Sequence, residues 1–125
     1  MSSKQVVSAL VADAVCVLAF CAIGRRSHDE GVTAAGVAEV AWPFLVGAAA
    51  GWVLSLGWRR PLEVVPTGLA VWLATVAVGM ALRKADSQGV AITFVLVAAA
   101  VTAVLLLGWR LVAALAFRRL PNRPR

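Results

Sequence analysis

Of the 125 residues in this chain, 62% are hydrophobic and only 14% charged, with a mean hydropathy of +0.89 and a formal net charge of +6. A soluble domain carries about 45–50% apolar and about 25% charged residues, so neither a water-soluble globule of this length nor extensive disorder fits, and lipid must receive most of these side chains. The twelve cations stand singly or in pairs at the ends of apolar runs, which suits phospholipid head groups and excludes a nucleic-acid groove as partner.

Four runs are long enough to cross a bilayer, which needs about 20 helical residues. They are predicted at approximately Gln5 to Ile23, Gly36 to Gly57, Pro66 to Leu82 and Val90 to Trp109. Backbone groups in lipid must be satisfied within each segment, so helices are expected despite the many valines. The predicted fold is an all-α bundle of four transmembrane helices in one domain, arranged as two tandem hairpins.

The first run contains Asp13, Cys16 and Cys21. Five residues on a helix turn about 140°, so the cysteines cannot bridge each other and read as small buried hydrophobes. Phe20 occupies the position where lipoprotein processing needs a small residue, and Asp13 interrupts the apolar core that a cleaved signal peptide requires. An ionised carboxylate at the centre of a span costs about 2.5–3.5 kcal/mol on insertion scales. Asp13 is therefore expected to face the bundle interior near mid-bilayer.

The link "GRRSHDEGVTAA" (Gly24 to Ala35) holds the densest polar cluster. Contiguous charges in a loop are expected to stay solvated; the alternative is an outer-face cluster with Arg83 in which Arg25 or His28 caps the helix end and pairs with Glu39, an arrangement that would let His28 sense external pH. A lone histidine with adjacent acids lacks the convergent spacing of a metal site, so no metal is expected. In the second run Glu39, Pro43, Gly47 and Gly51 form a narrow stripe, and "GAAAG" (Gly47 to Gly51) is a small-xxx-small contact that permits close backbone approach. The link "WRRPLEVVP" (Trp58 to Pro66) turns between prolines.

The third run places Gly68, Trp72, Thr75, Gly79 and Arg83 on one face. Counting back from Arg83 brings Trp72 to the level of Asp13, so the indole N–H of Trp72 and the hydroxyl of Thr75 are the expected donors to the carboxylate. Thr102 on the fourth run is also near midplane. The basic tail occupies residues 117–125.

Two repeats organise the chain. "LGWRR" at Leu56 to Arg60 is echoed by "LGWRL" at Leu107 to Leu111, and "RRSHDEGV" at Arg25 to Val32 by "RKADSQGV" at Arg83 to Val90. Trp58 with Arg59 and Trp109 with Arg110 read as interface anchors, the ring in the head-group layer and the arginine snorkelling to phosphate. The matched outer turns suggest two copies of a hairpin about an axis along the membrane normal. One side of the membrane carries Lys4, Arg59, Arg60, Arg118, Arg119, Arg123 and Arg125, with Arg110 near the boundary; the other has Arg25, Arg26, Arg83 and Lys84. The positive-inside rule then puts both termini in the cytoplasm.

Asp13, "GRRSH" at Gly24 to His28, "WPF" at Trp42 to Phe44, "PTGLAVWLATVAVGMALR" at Pro66 to Arg83 and "LLLGWR" at Leu105 to Arg110 resemble the domain of unknown function 3054 family. Its members are small four-span proteins found mainly in actinobacteria and related prokaryotes. The resemblance covers nearly the whole chain and implies a prokaryotic plasma membrane protein; it lends no activity. No nucleophile elbow, zinc-protease helix or glycine-rich phosphate loop occurs, and no link exceeds about a dozen residues, so an enzyme and a cofactor are not expected. The expected role is a non-enzymatic accessory or scaffold protein acting through helix contacts, as a homo-oligomer or in a larger complex. The alternative is a proton-coupled transporter or channel-like oligomer that uses Asp13.

Overall fold

A computed structural model of the chain describes residues 3–27 and 31–119. It is all-α, with helices α1 (Ser3–Ser27), α2 (Ala34–Ser55), α3 (Leu69–Ala85), α4 (Ile92–Thr102) and α5 (Gly108–Arg119). A π-helical turn, Ala103–Leu107, joins α4 to α5, so the two act as one rod. Four stretches are long and apolar enough to cross a membrane: Ser3–Arg26, Ala34–Ser55, Val64–Ala85 and Ile92–Ala116. The last continues well past Trp109, where the sequence suggests an end.

The boundaries follow local chemistry. Thr33 is extended, and its hydroxyl accepts from the Gly36 backbone N–H at 3.0 Å, which caps α2. At the far end Leu56 turns left-handed (φ 52°), and its N–H closes on Trp52 and Val53 carbonyls. A single 3-10 turn, Gly57–Arg59, comes next, and the chain then meets Pro61, which cannot continue a helical ladder. Helix α3 closes in a Schellman turn. Ser87 adopts φ 61°, with Ser87 N–H on Lys84 O at 3.1 Å and Gln88 N–H on Arg83 O at 2.8 Å.

The tightest approach is between α2 and α3. A β-carbon on Gly47 would lie 2.7 Å from Ala74 O, and one on Gly51 would lie 2.5 Å from Val71 Cα. Residue numbers rise on one helix as they fall on the other, so the pair is antiparallel with backbones nearly touching. Gly79 extends the same seam by making room for the Phe44 ring. Helices α2 and α3 are therefore held together along a shared seam, although a link separates them in sequence.

Helix α1 presents Ala9, Asp13, Val17, Phe20 and Cys21 to its neighbours, a stripe at steps of three and four. Its apolar members fall in two clusters. At the end away from the described termini, Phe20 packs edge-on against Phe44 at 5.6 Å between centroids, and Phe94 lies 6.4 Å from both. Towards Ser3 and Arg119, Ala9 meets Ala48, Trp52, Val71 and Leu106. Asp13 adjoins this second cluster, and the polar site forms where they meet.

Candidate functional site: a buried aspartate–arginine pair

Asp13 and Arg110 face each other as a fork on a fork. Arg110 Nη1 donates to Asp13 Oδ1 at 2.8 Å, and Nη2 donates to Oδ2 at 2.8 Å. Each oxygen takes a second donor from an indole: Trp109 Nε1 reaches Oδ1 at 2.9 Å, and Trp52 Nε1 reaches Oδ2 at 2.8 Å. Four N–H groups thus converge on one carboxylate, which accepts in every contact, as the ionised form does. Arg110 is fully buried and Asp13 is 2% exposed.

The guanidinium is itself held. Its Nε donates to Pro61 O at 3.1 Å, and Nη1 also donates to Leu106 O at 3.2 Å. Its Cζ sits 4.5 Å over the Trp109 ring, adding a cation–π contact. Room for its stem comes from Gly68, where a β-carbon would lie 2.8 Å from Arg110 Cδ. The site therefore joins α1, α2, the α2–α3 link, the turn leading into α3 and α5. Two charges taken out of water are tolerated only when each is paired and its remaining donors are met, and this arrangement meets both conditions.

The partners of Asp13 correct the sequence reading. None of Trp72, Thr75 and Thr102 donates to it. Trp72 Nε1 instead donates to Ala99 O at 2.9 Å and ties α3 to α4. Thr102 donates to Ala98 O, one turn back in its own helix. Thr75 faces the α2–α3 seam, where its hydroxyl is buried with no hydrogen-bond partner among the described residues. Along its own span, Ser3–Arg26, Asp13 stands near the middle. Trp52 is three residues from the end of α2, so the carboxylate lies towards the end of the bundle that holds the α2–α3 link.

The anchor reading divides. Trp58 is exposed and so is Arg59. Trp109 and Arg110 instead turn inward and donate to Asp13, so the Arg110 guanidinium is not directed outward to phosphate. A signal for this existed. Arg110 leads into the apolar run Leu111 to Phe117, so it is a lone cation inside a greasy segment, as Asp13 is a lone anion.

At the opposite end, Arg25 Nε donates to Gly31 O at 2.9 Å, and Arg83 Nε to Gly89 O at 3.1 Å. The two repeated turns thus share one side-chain contact to a glycine six residues on. The Arg25 guanidinium lies against Gly36, and Glu39 is exposed on α2. His28 lies outside the described residues, as does most of the basic tail. Of the packing residues, Pro43 is buried inside α2 beside Phe44.

Comparison with known proteins gives one family. Comparisons with curated proteins and with solved structures give no match. The family model described as "Protein of unknown function (DUF3054)" matches residues 10–113, which take in every residue of the paired site from Asp13 to Arg110. The chain belongs to the DUF3054 family.

Proposed function

We propose that this protein is a non-enzymatic scaffold of a prokaryotic plasma membrane, acting through helix contacts with further copies or within a larger complex. The observation that carries the reading is the saturation of Asp13: four N–H donors occupy its two oxygens, and one of the donor residues is the compensating cation. A carboxylate that moves protons or cations needs an open acceptor position and a route to water. Asp13 is 2% exposed and Arg110 fully buried, so the pair as it stands is shielded from the bundle surface. The pair fits a lock between the first and last helices.

Both termini are assigned to the cytoplasm. Arg110 is spent on Asp13, so the eight cations on that side become seven against four, and the bias keeps its sign. Many apolar side chains remain on the outer faces of the helices, including Val53, Leu54, Val104 and Val112. These meet lipid or a neighbouring subunit.

The test is reconstitution in liposomes with a pH dye inside, comparing the wild type with Asp13→Asn. Proton-driven fluorescence change is expected in neither. Flux in the wild type that disappears in the variant would replace the scaffold reading with a proton-coupled one. Co-purification from native membranes in mild detergent supplies the positive arm: a stoichiometric partner or a defined homo-oligomer is expected, and a lone monomer would defeat the proposal.

A further inference from the structure

At the end of the bundle far from the Asp13–Arg110 pair, a cleft of about 760 Å³ opens among the four spans. Its walls are apolar, with Phe20, Val40, Phe94 and Val97, and two guanidinium groups, Arg25 and Arg83, stand in the same lining. Arg83 is half-buried in the last turn of α3. Its Nε and Nη2 donate to Gly89 O at 3.1 and 2.8 Å, its Nη1 donates to Gln88 Oε1 at 3.0 Å, and its Cζ lies 4.2 Å from the Phe94 ring centroid.

Every one of those partners is neutral. Among the described residues no carboxylate comes within ion-pair distance of Arg83. This contrasts with Arg110, whose buried charge has an anion on it. A partly desolvated cation without a counter-charge attracts an anion strongly. Among the described residues three of the five guanidinium N–H groups are engaged, and Nη1 and Nη2 each carry a second hydrogen suited to a phosphate oxygen. Directly beside the guanidinium runs an apolar slot, where Val97 is 56% exposed. A small hydrophilic anion would use the guanidinium and leave the slot empty; a neutral lipid would fill the slot and leave the charge unmet.

We propose that this cleft binds an anionic phospholipid, with its phosphate on Arg83 beside Arg25 and an acyl chain along Phe94 and Val97. A guanidinium suits the phosphate and the apolar walls suit an acyl chain, so one such lipid meets both halves of the cleft. The site is independent of the scaffold role and requires only that the helices lie in a membrane.

The experiment uses the full chain, delipidated in a neutral maltoside detergent. Thermal unfolding and native mass spectrometry are monitored with phosphatidylglycerol, phosphatidylcholine or inorganic phosphate added. Phosphatidylglycerol is expected to raise the Tm and to be retained as one bound lipid per chain; the other two are expected to do neither. Arg83→Gln is expected to weaken lipid binding about tenfold or more, the equivalent of one charge-assisted hydrogen bond. Val97→Trp keeps both arginines and fills the slot, and is expected to abolish retention; it decides the matter if Arg83→Gln does not fold. An equal effect of phosphatidylcholine, an equal effect of inorganic phosphate, or undiminished binding in a folded variant would each overturn the proposal.

Discussion

Asp13 and Arg110 are 97 positions apart and each is a lone charge in an apolar run. Removing one partner strands the other without a counter-ion, at a cost of about 3–5 kcal/mol for a buried pair. Asp13→Asn, which turns one acceptor into a donor facing N–H groups, is expected to lower stability by that order in detergent unfolding. Arg110→Lys keeps the charge but loses the fork and the bond to Pro61, so it too is expected to destabilise, by less. The double variant Asp13→Leu with Arg110→Met, having no charge to strand, is expected to recover most of the loss; failure to recover would mean that the pair does more than hold the helices. Trp52→Phe and Trp109→Phe each remove one N–H from the carboxylate, worth about 1.5–3 kcal/mol for a bond to a charged group. At this scale the sequence exposed the acid but hid its partners. Depth matching assumed helices of equal rise from equal ends, whereas α5 runs nine residues beyond Arg110 and the α2–α3 link folds under it.

The string Leu-Gly-Trp-Arg meets two fates among the helices. At Leu56 it ends α2, and at Leu107 it passes from the π-helical turn into α5. The residues C-terminal to each copy make the difference. Arg60 precedes Pro61 and is forced out of the helical region (φ −142°, ψ 61°), as the residue before proline commonly is. After Arg110 comes Leu-Val-Ala-Ala-Leu-Ala-Phe, which favours continuing the helix. The glycines differ in the same way. Gly51→Ala would drive a methyl group against Val71 Cα and is expected to cost about 1–3 kcal/mol as overpacking. Gly108 has no described atom within 4 Å of its would-be β-carbon and has helical dihedrals. Gly108→Ala is therefore expected to leave stability unchanged or raise it by about 0.5–1 kcal/mol. Both are read from the midpoint of thermal unfolding. Helix number and kind were legible because long apolar runs in lipid leave the backbone no other solution. The ends were less legible, since a Trp-Arg pair marks an interface only when no internal anion competes for the arginine.

For the whole molecule, the close α2–α3 seam and the α1–α5 ion pair make the bundle a single unit. The turns at Arg25 and Arg83 share an arginine-to-glycine carbonyl contact, whereas Arg59 is exposed and Arg110 is buried on Pro61 and Asp13. Orientation is checked with a cysteine appended to the C-terminus. An impermeant maleimide is expected to label it only after the cells are opened, and labelling of intact cells would reverse the assigned sidedness.

The distance along the chain between the two charges also sets an order of events during synthesis. Asp13 leaves the ribosome in the first helix, and Arg110 emerges 97 residues later, about 5–20 s at ordinary elongation rates. For that interval the nascent acid has no Arg110 to neutralise it. It must wait at the translocon or the lipid surface until the last segment arrives. A message truncated just before Arg110 would thus still encode α1 to α4 but leave Asp13 without its counter-ion.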